Sequence, residues 1–232
     1  MNKILRSKYG LLIFTLAFTV SCSGLHQTIQ ANMEKELSIL GLGDSITEGG
    51  AEFDSYLFPL DSMLKTAGYH IKFIGPRQTT QNNHTLHHAG FSGKNVEFIA
   101  KKIDSIYTVF PADIILLHSG HNHFVEEKPV KGIINAQKKI IDLILQKNPR
   151  AIIFVSAVIT SGKLPKYEYI PELNQEIEAM VKTLHNKQVV FVDQQKNWDW
   201  TKFTIHDKVH PNTRGAIKIG ENWFRAINKI IK

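Results

Sequence analysis

Ser45 lies in the segment Leu40-Gly41-Leu42-Gly43-Asp44-Ser45-Ile46-Thr47-Glu48-Gly49, where an apolar strand-like pattern stops and a turn begins. Far downstream, Asp207-Lys208-Val209-His210-Pro211-Asn212 carries an acid and an imidazole three residues apart. A serine hydroxyl is a poor nucleophile at neutral pH, so an imidazole within hydrogen-bond reach must take its proton as it attacks an acyl carbon. A carboxylate on the far ring nitrogen fixes the tautomer and stabilises the imidazolium. Ser45, His210 and Asp207 are therefore candidates for nucleophile, base and orienting acid, provided the loop holding the last two turns back on itself.

Positioning these residues requires a scaffold, and its pattern begins at Leu37. Short apolar runs suggest strands at Leu37–Leu42, His70–Ile74, Asp113–His118, Ala151–Val158 and Val189–Val192. Several are rich in Ile and Val without clean alternation, as expected of strands buried on both faces of a parallel sheet. Amphipathic stretches between them suggest helices at Phe53–Ala67, Asn95–Tyr107, Val130–Lys147, Tyr167–His185 and Thr213–Ile231, with Gly68 and Asn148-Pro149 as helix stops. The alternating order predicts an α/β fold, a three-layer αβα sandwich with a five-stranded parallel sheet, flavodoxin-like in architecture. In such folds the reactive groups gather outside the carboxyl ends of the strands. Ser45 follows the first strand, Gly93 the second, Asn122 the third, and Asp207 with His210 the fifth.

Each residue also has a plainer structural role open to it. A Gly-Asp-Ser turn can be a helix N-cap, and Asp207–His210 can be a surface loop before Pro211 at a helix start. Gly93 can serve a turn, and Asn122 can bond its own loop. The convergence of all five on one edge of the sheet argues for chemistry.

Histidine is abundant, with 11 in the chain. His118, His121 and His123 cluster, as do His84, His87 and His88, but His118-x-x-His121-x-His123 lacks the helical i, i+4 spacing of a zinc protease and no cysteine pairs exist. No metal and no cofactor is expected. His87 and His88 are instead expected to line the cleft near Gly93, with His84 solvated. His206 is expected to be a loop residue rather than a rival base, and Lys101-Lys102 and Lys138-Lys139 solvated helix faces. Trp223, on the last helix, is expected in the core.

The N-terminus bears on location. Lys3, Arg6 and Lys8 precede an uncharged apolar run from Leu11 to Val20, too short for a permanent membrane span but suited to a signal-peptide core. Thr19-Val20-Ser21-Cys22 resembles a bacterial lipobox, which would leave Cys22 as the lipid-bearing first residue; a plain secretory signal is the alternative. The expected organisation is a signal over 1–21, a tether over 22–36 and one catalytic domain over 37–232, in a protein exported to the cell envelope or secreted. A single cysteine permits no internal disulfide, so the domain must rely on its core. The formal net charge of +7 includes three basic residues of the leader, and no Lys/Arg run interleaved with aromatics tracks a phosphate backbone, so nucleic acid is not an expected partner. The membrane would be met only through the lipid anchor.

Gly43-Asp44-Ser45-Ile46 with Gly93, Asn122 and His210 resembles the SGNH, or GDSL-type, hydrolase family over nearly all of the chain beyond the leader. The resemblance implies Ser45 as nucleophile, in Gly43–Gly49. It implies an oxyanion hole made by the backbone N–H groups of Ser45 and Gly93, the latter in Phe91-Ser92-Gly93-Lys94-Asn95, and by the Asn122 amide in Gly120-His121-Asn122-His123. It implies His210 as base and Asp207 as its partner. Members usually carry an aspartate directly after that asparagine; here His123 stands in its place, so the hydrogen bonding of this loop must be made differently.

His88-Ala89-Gly90-Phe91-Ser92-Gly93 and Pro111–His118 look like the acetylxylan-esterase branch, carbohydrate esterase family 3. This likeness implies a serine esterase that removes O-acetyl groups from a polysaccharide or oligosaccharide. Trp198 and Trp200 would offer flat apolar faces to sugar rings, or pack beneath a long loop. Asp44, His87, His88 and His121 are further substrate-binding candidates. An esterase, thioesterase or lysophospholipase acting on longer acyl chains, and a non-catalytic glycan-binding surface lipoprotein, remain open alternatives.

Overall fold

The computed structural model describes residues 36–231; the expected signal, Cys22 and most of the expected tether lie outside the described residues. Seven strands form among the described residues: β1 (Leu37–Gly43), β2 (Ile71–Phe73), β3 (Arg77–Gln81), β4 (His84–Gly90), β5 (Ile114–His118), β6 (Ile152–Ser156) and β7 (Val189–Val192). Helices are α1 (Ser45–Glu48), α2 (Leu57–Thr66), α3 (Val96–Val109), α4 (Val130–Lys147), α5 (Ile170–Leu184), α6 (Trp200–Phe203) and α7 (Thr213–Ile231), with a 3-10 turn at Val125–Glu127.

Period-two geometry explains the layers. On β1, Leu40 and Leu42 point to one side and join Val96, Ile99 and Ile103 of α3, Ile133 and Ile140 of α4 and Leu173 of α5. Ile39 points to the other and joins Leu57, Leu60 and Leu64 of α2 with Ile219, Trp223 and Ile227 of α7. Two apolar cores thus sandwich the sheet, and Trp223 is fully buried in the second. Fully burying aliphatic side chains such as Leu40, Leu57 or Ile219 contributes roughly 1.5–3 kcal/mol each.

The sheet runs β3-β4-β1-β5-β6-β7, with β2 also on β1. β5 pairs in parallel with β1 from Ile39↔Ile114 to Gly43↔His118. β1's opposite edge is shared: Leu37–Ile39 take Ile71–Phe73 of β2, and Leu42–Gly43 take Ala89–Gly90 of β4. The expected five parallel strands are present, but the count of five is corrected to seven, because a hairpin adds β3 and β4 in antiparallel pairing from Arg77↔His88 to Gln81↔His84. Its two-residue turn uses Asn82 and Asn83 at φ +49° and +61°, the left-handed pair that tight hairpins require. Among the described residues no helix is long and apolar enough to cross a membrane.

Candidate active site

The parallel register delivers the ends of β1, β4 and β5 side by side. At Gly43 a Cβ would stand 2.3 Å from both the His118 carbonyl oxygen and Thr47 Oγ1, so only glycine lets β1 turn this tightly against β5. Asp44 then caps α1, Oδ1 accepting from the Ile46 N–H at 3.0 Å, which sets Ser45 at the first turn of a short helix. The Ser45 side chain is 7 % exposed. Its Oγ lies 2.9 Å from His210 Nε2.

His210 is held from below and from the side. Asp207 accepts from His210 Nδ1 and, through Oδ1, from the backbone N–H groups of Val209 at 2.9 Å and His210 at 3.0 Å. Lys208 takes φ +62° to allow this return. The loop is pinned by Lys208 O, which accepts from Ser161 Oγ at 2.8 Å and Gly162 N–H at 3.0 Å. Burial pushes the Asp207 carboxyl upward, but the Val209 and His210 hydrogen bonds outweigh it and hold the group below its ordinary value. Asp207 is thus an anion at neutral pH, and with Nδ1–H donating to it, Nε2 is left to accept from the Ser45 hydroxyl. Phe53 stacks on the imidazole with ring centroids 4.1 Å apart and planes at 19°.

Two further loops close the site. The Phe91 N–H donates to Gly43 O at 2.9 Å and the Ser92 N–H to Glu48 Oε2 at 2.6 Å, tying the segment before Gly93 to both ends of the Ser45 turn. Glu48 also pairs with Arg77, whose guanidinium lies 5.6 Å over the Phe91 ring. Gly93 sits at φ +71°, and nothing lies within 4 Å of where its Cβ would be, so the loop is open to a ligand. Asn122, itself at φ +68°, donates one Nδ2 hydrogen to Lys94 O at 3.0 Å, leaving its second. Neither the Ser45 nor the Gly93 N–H finds an acceptor among the described residues. The site therefore holds a hydroxyl bonded to an oriented imidazole, and the Ser45 N–H, the Gly93 N–H and the second Asn122 hydrogen are left uncommitted.

Other candidates are placed differently. Asp44, His88 and His121 are buried, which corrects their assignment to substrate contact: they support the site from beneath. His88 accepts from the Gly90 N–H through Nδ1 at 3.0 Å and contacts Thr79 Oγ1 through Nε2 at 3.0 Å; burial pushes it down to about 4. His121 donates to Ile159 O at 3.1 Å and stands edge-on to Tyr167; burial, and less so His118 and His210, push it down to about 3. Strand alternation puts His87 on the opposite face, exposed. His84 is exposed, as expected, and also bonds Asp61 at 3.0 Å. Trp198 and Trp200 are half-buried. The Trp198 indole donates to Thr160 O at 2.9 Å, and the Trp200 ring lies where a Cβ on Gly162 would be, 2.5 Å away, so both brace the loops around His210. Sequence reasoning missed Phe53, which it placed in a helix that begins only at Leu57, and the Glu48–Arg77 pair, which a hairpin reading of Asn82-Asn83 would have brought to light. Among the described residues no group of three or more His, Cys, Asp or Glu is placed to hold a metal ion.

Asp44 carries a consequence for stability. Its Oδ2 is buried without a hydrogen-bond partner, 3.8 Å from His121 Nδ1, and burial pushes the carboxyl from 3.8 up to about 7. The folded chain holds this proton where the unfolded chain has lost it, so the contribution is full below pH 3.8 and is lost as pH rises to about 7. Asp44→Asn keeps the cap without the charge. It should raise Tm on the order of 5 °C at pH 8 and leave it nearly unchanged at pH 4; calorimetry at both values checks this.

A multidomain esterase of Ruminococcus flavefaciens is 25% identical over 84% of this chain, which spans 29% of that protein's length. A carbohydrate esterase family 3 structure from Talaromyces cellulolyticus aligns with a TM-score of 0.75 at 22% identity, over 84% of this chain and 98% of that one, a likeness of fold. A family 3 carbohydrate esterase from Clostridium thermocellum aligns with a TM-score of 0.75 at 26% identity, over 85% of this chain and 98% of that one. The sequence profile of the GDSL-like lipase/acylhydrolase family matches residues 42–216, a span that begins at the end of β1, reaches into α7 and contains Ser45, Gly93, Asn122, Asp207 and His210. The chain belongs to the GDSL-like lipase/acylhydrolase family.

Proposed function

We propose that this chain is a serine esterase that hydrolyses carboxylic esters through an acyl-enzyme and removes O-acetyl groups from a polysaccharide or oligosaccharide. The observation that carries the reading is the Ser45–His210–Asp207 relay, with Ser45 Oγ 2.9 Å from Nε2, lying beside uncommitted donors. As Ser45 Oγ forms its bond to the acyl carbon, its proton passes to His210 Nε2, and the imidazolium is stabilised by Asp207. Negative charge moves onto the former carbonyl oxygen, where the Ser45 and Gly93 N–H groups and the second Asn122 hydrogen would receive it; one such donor is typically worth about 3 kcal/mol of barrier. His210 then protonates the departing alcohol, and water, deprotonated by the same ring, releases the acid and frees Ser45. Phe53 favours this cycle, since an aromatic face attracts the cation that forms on His210.

The acetyl-carbohydrate assignment draws on the family 3 carbohydrate esterases among the similar structures. Residues 1–22 support a companion proposal, that the chain is exported and anchored through Cys22. The substrate reading is tested by a chain-length profile on p-nitrophenyl esters, then by acetate release from acetylated xylans, pectins and mannans, with Ser45→Ala as blank. A strong preference for acetate is expected; a preference for octanoate would overturn deacetylation in favour of a longer-chain esterase.

A further inference from the structure

The two loops that hold the proposed oxyanion donors are distant in sequence, and His123 joins them. Its Nε2 lies 2.9 Å from Glu97 Oε2 and its Nδ1 2.8 Å from Glu127 Oε2. Glu97 belongs to the first turn of α3, which starts three residues after Gly93 and is capped by Asn95 accepting from the Phe98 N–H at 3.1 Å. Glu127 closes the 3-10 turn that follows Asn122, its Oε1 accepting from the Phe124 N–H at 3.1 Å. A ring with carboxylates on both nitrogens must donate from both, and only the imidazolium does so. The His123 side chain is 8 % exposed, so the charge persists there because it is paired.

Resting on the serine-esterase reading, we propose that His123 is a positioning residue: its imidazolium, clamped between Glu97 and Glu127, locks the Asn122 loop to the start of α3 and so fixes the spacing between the Asn122 and Gly93 donors. The Asn122 Nδ2 bond to Lys94 O at 3.0 Å spans the same two loops, and one neutral hydrogen bond alone is a weak tie. Where the family usually places an aspartate, this chain inverts the charge and surrounds it with two acids.

The groups facing His123 are few. α3 contributes Glu97 and the 3-10 turn Glu127. Lys166, beyond β6, acts on Glu127, and Tyr169 lies against the His123 backbone while donating to Gly120 O at 2.8 Å. α4 meets the cluster with Gly132, where a Cβ would stand 3.1 Å from Glu97 Oε1. Burial pushes the imidazole down, but the Glu97 and Glu127 bonds and charges outweigh it and raise it above its ordinary value. Glu97 is held low in turn, its burial outweighed by the His123 bond. A group whose folded-state affinity for the proton is raised lends its stabilisation at and below the ordinary imidazole range and loses it as pH climbs through the raised value. The clamp is therefore whole around neutral pH, opens on the alkaline side as His123 loses its proton, and opens in acid only once Glu97 and Glu127, both held low, take up protons.

The test is the pH dependence of kcat and KM on p-nitrophenyl acetate for the full chain and for His123→Asn and Glu97→Gln. His123→Asn should lower kcat at pH 6.5 by up to about 10²-fold, the effect of a donor misplaced by about an ångström, with KM changed less than about twofold, and should abolish the alkaline decline in kcat. Glu97→Gln should retain activity at low pH and move that decline to lower pH, which decides the matter if His123→Asn fails to fold. An alkaline decline unmoved in Glu97→Gln, or a loss in His123→Asn carried wholly by KM, would overturn the proposal. Ser45→Ala separates the two readings: an active blank sinks the serine mechanism, whereas an inactive blank with an unmoved decline sinks only the role of His123.

Discussion

Replacing Ser45 with alanine is expected to lower kcat on p-nitrophenyl acetate by about 10⁶-fold, the loss seen when a serine nucleophile is removed from an assembled triad. The change deletes one oxygen from a side chain 7 % exposed on a helix whose cap comes from Asp44 and not from Ser45, so the fold should be unaffected. His210 keeps Asp207 and Phe53, and the donors of the loops keep their places. What remains should be a small rate above that of water, supplied by the donors and by substrate binding. Circular dichroism and Tm would establish that the variant is folded, and substrate affinity should persist. Hydrolysis at an undiminished rate in a folded variant would exclude Ser45 as nucleophile and with it the acyl-enzyme.

How far the chain could be read in advance follows from which contacts are local. Val130–Lys147, Val189–Val192 and Thr213–Ile231 fall where the pattern places them, because an apolar stripe at helical spacing and a short uninterrupted apolar run each have a favoured way to be buried. The β3–β4 hairpin escaped because Arg77–Gln81 and His84–Thr85 are polar and the hairpin buries little beyond Leu86, His88, Ala89 and Gly90, leaving only the Asn-Asn turn as a signal. Phe53 escaped for another reason. Its spacing continues the apolar stripe of α2, but the segment is fixed by tertiary contacts: the Phe53 ring lies over Gly50, where a Cβ would be 2.5 Å away, and against His210. Histidine misled most, since an imidazole in a loop near a nucleophile reads as a ligand-binding group. Whether it is exposed, as His87 is, or buried, as His88 and His121 are, depends on register and on partners such as Thr79 and Ile159 that no local pattern announces. Ser45, His210 and Asp207 were legible because their chemistry demands particular residue types, and the topology of a parallel sheet gives those types a common edge.

The strongest demand on that edge falls on Asp207. Asp207→Asn preserves size and leaves Oδ1 able to accept from the Val209 and His210 N–H groups, so the loop with Lys208 in its left-handed conformation should persist. The other terminus of the side chain, however, becomes an amide that donates toward Nδ1 where a carboxylate had accepted. His210 is then driven to the tautomer with hydrogen on Nε2, which faces Ser45 Oγ with a donor and has no lone pair to take its proton. A loss of about 10⁴-fold in kcat is expected for such a tautomer reversal, larger than the about 10²- to 10³-fold that follows from removing one oxyanion donor. KM should change little, because on the proposed mechanism Asp207 stabilises charge that appears only as the ester is attacked. The measurement is kcat and KM from pH 6 to 10 on p-nitrophenyl acetate: partial recovery at high pH would mark base catalysis that no longer needs a correctly protonated His210. Loss of less than about tenfold across that range would place the orienting acid elsewhere and leave the Asp207 turn a purely structural one.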